Sequence, residues 1–179
     1  NDLKIKLIAK ARLFGDKLTL SVLPTFVNKA NDLFNVENEY NGVSIDSKNI
    51  GEQFYKGKGA GSLPTGSVVY SDLKAIDNGY KYTYKKMNSR TNYELSNSEK
   101  QTVLITVNRP IDIEALTVDN GLFYPIDVYG NQYVGKISID GLIKNKPAIE
   151  QHKISVVTFD NETFLNEIID SSLKETVEI

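Results

Sequence analysis

The chain has 179 residues, of which 40% are hydrophobic and 25% are charged, a composition typical of one or two globular domains. Its net charge of −2 argues against nucleic-acid binding, and no apolar run is long enough to span a membrane. Without cysteine the chain has no disulfide, no zinc thiolate site and no thiol nucleophile, and its single histidine, His152, excludes most histidine-based catalysis and metal clusters. We therefore expect a cytoplasmic protein with no metal site and with neither nucleic-acid nor membrane partners.

The first eighty residues predict an α+β unit. Apolar residues recur at helical spacing in the opening stretch, which predicts a helix from Asp2 to Phe14 that stops at Gly15. Three strands are predicted in "KLTLSVLPTFV", "EYNGVSID" and "EQFYKGKG", where β-branched residues and alternation predominate. A second amphipathic helix is predicted over Thr65–Ile76. The predicted order is helix, strand, strand, strand, helix.

The rest of the chain predicts a linker and a second small α+β domain. Residues 81–100 are polar and lack a sustained apolar period, so the predicted domains are 1–80 and 101–179. "QTVLITV" and "HKISVVTF" are predicted strands, "RPIDIEAL" is a predicted short helix, and further strands are predicted in "LFYPIDVYGNQYVGKISIDG". A helix in "NETFLNEIIDSSLK" and a strand in "ETVEI" complete the predicted order.

The stretch "YKGKGAGSLPTG" places three glycines directly before the second predicted helix. It fits neither a P-loop nor a dinucleotide-binding fingerprint. The bare backbone from Gly59 to Gly61 would let a planar ligand approach closely, and the N–H groups of a helix N-terminus attract negative charge. A tight strand-to-helix connection without a ligand accounts for the same residues, so both interpretations stay open.

Asp2 and Lys6 lie four residues apart, which places both on one face of the predicted first helix. A partly buried lysine there could transfer a proton, because burial shifts the pKa of an ammonium group readily, and the carboxylate could hold a substrate ammonium. An ordinary exposed ion pair is the alternative.

Taken in order, "DLKIKLIAKARLFG", "VLPTFV", "YNGVSI" and "YKGKGAGSLPTGSVVYSDL" resemble the later part of the homoserine dehydrogenase catalytic domain. The resemblance covers residues 1 to about 77 and is most specific from Gly59 to Asp72. It implies that Lys6 is the proton-transferring lysine, that Asp2 contacts the substrate and that Gly61 lies near the nicotinamide of the cofactor. It also implies hydride transfer between NAD or NADP and L-homoserine or L-aspartate 4-semialdehyde, in threonine and methionine synthesis.

The second unit faintly resembles the ACT-type regulatory domain that often ends homoserine dehydrogenases, a ferredoxin-like βαββαβ unit that binds amino acids. The resemblance rests on "VLITVNRPIDIEAL", where Pro110-Ile111 replaces the expected Pro-Gly. A tail with a purely structural role is the alternative.

The chain lacks an initiating Met and the glycine-rich cofactor motif, so we expect a fragment of a longer enzyme. Such a fragment should be inactive by itself and should bind neither NADP nor NAD, although the full-length enzyme would use one of them with a small-molecule substrate. The family implies a homodimer. A non-catalytic amino-acid-binding or dimerisation module is the alternative function.

Overall fold

The computed structural model describes residues 3–81, 92–117, 123–127 and 129–160. The chain divides into two compact units: Asn1–Val27 with Tyr93–Ile179, and Asn28–Asn92. This division differs from the predicted one, because the first two strands lie in the same sheet as the strands that follow residue 100. No helix of the described residues is long and apolar enough to cross a membrane.

Within the described residues the chain forms nine strands, two α-helices and two short 3-10 helices (η). In chain order they are β1 Leu3–Phe14, β2 Lys17–Asn28, η1 Asp32–Asn35, β3 Tyr40–Ser47, β4 Gly51–Lys58, α1 Ser62–Asp77, β5 Glu94–Leu95, β6 Lys100–Thr106, η2 Pro110–Ala115, β7 Tyr124–Pro125, β8 Gln132–Ser138, α2 Ile139–His152 and β9 Ser155–Phe159.

The predicted first helix is wrong, because the opening stretch forms strand β1. In the sequence LKIKLIAKARLF, apolar residues fit strand-like alternation with basic residues equally as well as they fit helical spacing. Gly15 adopts a φ of +63°, and with Asp16 it forms a two-residue turn into β2, the neighbouring strand of the sheet. The glycine therefore marks a hairpin turn and not a helix end, and the pairing with β2 selects the strand.

The main sheet has the strand order β1-β2-β9-β6-β8-β7, and β5 pairs separately with β2. β9 runs parallel to β2 and antiparallel to β6. The apolar core of this unit lies against β6 and β8, where Val103 and Ile105 have no exposed surface and Ile137 is 2% exposed. Because burial of side chains of this size is the main favourable term in folding, the β6–β9 region is where this unit gains its stability.

From β6 to β9 the elements follow the order strand, 3-10 helix, two strands, helix, strand, and all three pairings among these strands are antiparallel. This is the arrangement of a split β-α-β unit. The short helix in "RPIDIEAL" is confirmed as η2. Helix α2 was not predicted: "SIDG" was expected to belong to strands, but Ser138 caps the helix by accepting a hydrogen bond from the Gly141 N–H at 2.9 Å. The helix and strand predicted after residue 160 lie outside the described residues.

In its described residues, the unit from residue 28 onward contains the β3–β4 hairpin, η1 and α1, which confirms the second and third predicted strands and the second predicted helix. η1 packs on one face of the hairpin, so closely that a Cβ on Gly42 would lie 3.0 Å from a methyl group of Leu33. Helix α1 has no buried residue, and Leu63, Val69 and Leu73 are all more than half exposed. The described part of this unit therefore has little apolar core.

Candidate functional site

The glycine turn, residues 59–61, continues directly from the β3–β4 hairpin. The last residue pair of the hairpin joins Tyr40 to Lys58, and the Gly59 N–H donates to the carbonyl of Glu39 at 2.8 Å. The ladder therefore holds the backbone up to Gly59, the first residue of the turn. Since β4 ends at Lys58 and α1 starts at Ser62, the chain passes from sheet to helix across three residues.

Gly61 adopts φ +116° and ψ 150°, a backbone conformation essentially restricted to glycine. Its carbonyl accepts the first helical hydrogen bond, from the Thr65 N–H at 3.1 Å, but it has no side chain to cap the helix. A Cβ at this position would also lie 3.3 Å from Cδ of Pro64. The sequence had indicated bare backbone from Gly59 to Gly61, and the N–H groups in the first turn of α1 have no side-chain cap.

Gly59 has a close neighbour that the sequence did not reveal, the exposed side chain of Asn41. A Cβ on Gly59 would overlap the side-chain amide of Asn41. The nearest signal in the sequence is the Asn41-Gly42 pair, which by itself predicts only a bend or a bulge. The two outer glycines of the turn therefore serve distinct needs: Gly59 makes room for a neighbouring side chain, and Gly61 permits the backbone conformation.

Charged and aromatic groups surround the approach to the turn. Lys58 Nζ lies 3.1 Å from the Glu39 carboxylate and 5.6 Å from the centre of the Tyr40 ring, and Lys56 Nζ lies 5.0 Å from the same ring. Hydrogen bonding from the Glu39 backbone and then from Lys58 lowers the pKa of the Glu39 carboxyl. These contacts fix Lys58 on one face of the hairpin, immediately before the glycines.

The remaining predicted site residues lie elsewhere. Lys6 is half-buried on β1, and Asp2 lies outside the described residues. Lys6 and Gly61 belong to different units of the chain. The helix that motivated the pairing of Asp2 with Lys6 does not form, so their roles stay predictions that rest on the resemblance alone.

A second cluster of ionisable groups was missed in the sequence. Asp112 on η2 is 4% exposed, and its carboxylate accepts hydrogen bonds from Arg109 Nη2 at 2.7 Å and from Arg109 Nε at 3.3 Å. His152 Nδ1 lies 3.1 Å from the same carboxylate. The hydrogen bond from Arg109, together with His152, lowers the pKa of Asp112 to about 2. Because all contacts of this carboxylate are internal, the cluster ties η2 to the end of α2.

Neither a metal centre nor a clear ligand cavity accompanies these groups. Among the described residues, no group of three or more histidine, aspartate or glutamate side chains is arranged to hold a metal ion. A shallow surface groove is lined by Lys10, Arg12, Thr19, Ser21, Glu99 and Gln101. Its two cations already form ion pairs, Arg12 with Glu99 at 2.6 Å and Lys10 with Asp160 at 2.8 Å. The ion pairs along the groove therefore link β1 to residues that are distant in sequence but belong to the same unit.

The first part of the chain is similar in sequence to known proteins. A sequence profile of the family described as homoserine dehydrogenase matches residues 1–73. Homoserine dehydrogenase of Bacillus subtilis is 42% identical over 72 residues, which are 40% of this chain and 17% of that protein. The Neisseria gonorrhoeae enzyme is 39% identical over 70 residues, covering 39% of this chain and 16% of that protein. These matches confirm the resemblance, and they span about a sixth of the curated relatives' length.

Solved structures extend the likeness in fold to most of the chain. The crystal structure of S. aureus homoserine dehydrogenase at pH 7.0 has a TM-score of 0.50 and 24% identity, covering 89% of this chain and 42% of that one. That of Thiobacillus denitrificans has a TM-score of 0.53 and 18% identity, covering 89% of this chain and 43% of that one. At these identities the likeness concerns the fold alone, and it confirms the α+β class.

Proposed function

From the match of residues 1–73 to homoserine dehydrogenases, we propose that this chain is part of such an enzyme. The whole enzyme would interconvert L-homoserine and L-aspartate 4-semialdehyde in the cytoplasm, in threonine and methionine synthesis, with NADP or NAD as hydride carrier. The observation that carries the proposal is the glycine turn, where the family match coincides with a backbone conformation that only glycine adopts readily.

In this proposal Gly61 presents bare backbone to the nicotinamide end of the cofactor. With no side chain on Gly61 and no side-chain cap on α1, a planar ring could approach the start of the helix closely. The cofactor supplies the hydride chemistry, and the protein positions the ring. Gly61→Val in the whole enzyme should chiefly weaken cofactor use, measured as a raised KM for NADPH or NADH. Unchanged cofactor KM would contradict this role.

The proton-transferring role of Lys6 and the substrate contact of Asp2 belong to the same proposal. General acid–base groups typically contribute about 10²–10⁴-fold to turnover, so Lys6→Ala should lower kcat of the whole enzyme by that order while the protein stays folded. Lys4→Ala is the matched control, because Lys4 lies on the same half-buried face of β1. Equal kcat values for the two variants would remove Lys6 from the mechanism.

The chain by itself should show no dehydrogenase activity. Its sequence lacks the glycine-rich motif that binds the pyrophosphate of a dinucleotide, so the turn alone offers few contacts to NAD or NADP. Isothermal titration of the 179-residue chain with NADPH should therefore show no binding at micromolar concentration. Micromolar affinity would mean that the chain holds a complete nucleotide site, and the assignment as a partial site would fail.

A homodimer is part of the proposal, and the outer face of the β1–β2 hairpin is its best-supported interface. Ile5, Leu7, Leu20 and Val22 are each more than half exposed on these two strands. Contiguous apolar surface of this kind marks association sites. Light scattering should give about twice the 20.0 kDa of one chain, and Leu7→Lys should reduce that mass. A single-chain mass at high concentration would contradict the dimer.

A regulatory role for the C-terminal part is a second candidate, favoured by the split β-α-β order from β6 to β9. Such a module would bind an amino acid and would have no chemistry of its own. Threonine or methionine should then raise the Tm of the chain in proportion to binding, since a ligand of the native state stabilises it. If millimolar threonine or methionine left the Tm unchanged, a purely structural role for this part would be favoured.

A further inference from the structure

The side chain of Asn41 lies against the glycine turn, and strand register explains why. Asn41 on β3 is paired directly with Gly57 on β4, and Gly59 is the diagonal neighbour on the same face. A Cβ built on Gly57 would meet no atom within 4 Å, whereas one on Gly59 would overlap the Asn41 amide. Asn41 therefore leans towards the turn and away from its direct partner.

The opposite face of the hairpin holds the same stretch of backbone. There Tyr40 pairs with Lys58, whose ammonium lies 3.1 Å from Glu39 and 5.6 Å from the Tyr40 ring centre. The backbone hydrogen bond from Gly59 to Glu39 completes this side. On the other face Gly57 and Gly59 have no side chains, so the side chain beside them is that of Asn41 on the neighbouring strand β3. The start of the turn is thus held between Asn41 and the Tyr40–Lys58–Glu39 group.

We propose that Asn41 is a positioning residue for the glycine turn: its carboxamide fills the space above Gly59 and fixes the path of the backbone towards Gly61. The importance of that path for catalysis rests on the proposed function, in which Gly61 faces the cofactor. Asn41 acts through the turn and not on the reacting atoms. In its present rotamer the Asn41 carboxamide occupies the space that a Cβ on Gly59 would take.

The contact is tested on the isolated chain, with no need for activity, by a double-mutant cycle. Gly59→Ala should speed hydrogen exchange of the residue 59 amide, which donates to the Glu39 carbonyl, about tenfold, because the new methyl group and the Asn41 amide cannot both keep their places. In the Asn41→Ala background the same substitution should have a much smaller effect, since the overlapping atoms are gone. Gly57→Ala is the matched control and should show no dependence on Asn41. Additive effects of Asn41→Ala and Gly59→Ala would overturn the proposal.

The role in positioning is tested in the whole enzyme by separating KM from kcat. Asn41→Ala should raise the KM for the nicotinamide cofactor about tenfold and leave saturated kcat nearly unchanged, because it removes binding that is uniform through the reaction. Ser44→Ala, an exposed change on the opposite face of β3, should change neither. A lower kcat with unchanged cofactor KM would indicate a merely structural role and overturn the proposal. Absence of activity in the wild-type enzyme would instead refute the proposed function, and the exchange cycle would still decide the Asn41 contact.

Discussion

The β6–β9 region and the unit from residue 28 onward differ in where their side chains lie. The first buries a compact set of aliphatic side chains between sheet and helices, with Val103 and Ile105 fully buried. The second has an exposed hairpin and a helix with no buried residue. Yet the sequence match to known enzymes covers residues 1–73, which include β1, β2 and most of the described exposed unit, and it excludes the packed β6–β9 region. In this chain the best-buried cluster and the sequence match to known enzymes therefore lie in different segments.

The largest effect should come from truncating a core side chain. Ile105→Ala should lower the free energy of unfolding by about 2–5 kcal/mol, because it removes apolar contacts and leaves a cavity in a fully buried site. Leu73→Ala on α1, where the side chain is 61% exposed, should change it by less than about 0.5 kcal/mol. Urea unfolding followed by circular dichroism measures both. Equal losses would show that α1 is packed as tightly as the core.

The next effect should come from the Asp112 carboxylate, and it should depend on pH. Its pKa is lowered from 3.8 to about 2, chiefly by the hydrogen bond from Arg109, so its contribution to stability is present above pH 4 and is lost as pH falls towards 2. Asp112→Asn should destabilise the protein at pH 7 and should flatten the fall in Tm between pH 4 and pH 2. Asp140→Asn, which affects an exposed ion pair with Lys144 on α2, is the control and should leave that slope unchanged. Parallel slopes in all three proteins would contradict the role of Asp112.

Alanine substitution should have a smaller effect on stability at two glycines of the exposed unit, and its sign should differ between them. Gly61→Ala should cost about 1–3 kcal/mol in local stability, because it forces a side chain into a φ of +116°. Gly66→Ala within α1 should instead stabilise the helix by about 0.5–1 kcal/mol, since a Cβ there meets open space. Hydrogen exchange of α1 amides reports both changes. Opposite signs are expected, and a gain in protection for Gly61→Ala would rule out the backbone explanation.

The smallest effect should come from the exposed ion pair between Lys74 and Asp77, whose charged atoms lie 3.5 Å apart at the end of α1. Asp77→Asn should change helix stability by no more than about 0.5 kcal/mol, and added salt should remove the difference. A loss of more than about 1 kcal/mol at high salt would show that this helix end is held by contacts other than charge.

Local sequence patterns predicted β2, β3, β4 and α1, because each is defined by its own periodicity and bounding turns. They failed for β1, where helical and alternating patterns coincide and pairing with β2 decides between them. They also failed for α2, whose sequence contains Pro147 and begins at an Asp-Gly pair that usually marks a turn. At the site, the bare backbone from Gly59 to Gly61 could be found from glycine content, but the Asn41–Gly59 contact could not. That contact depends on the register between two strands, which no local pattern encodes.

The parallel pairing of β2 with β9 has a consequence for synthesis on the ribosome. The hydroxyl groups of Thr25 and Thr158 lie 2.8 Å apart across these strands, although 133 positions separate them along the chain. At about 5–20 residues per second, the β1–β2 hairpin would wait roughly 7 to 27 s after its own synthesis before its neighbouring strand is made. During that interval its apolar side chains would be open to chaperones and to other nascent chains. A polypeptide released at residue 73 would never receive that strand, so the segment most similar to known enzymes cannot complete its sheet alone.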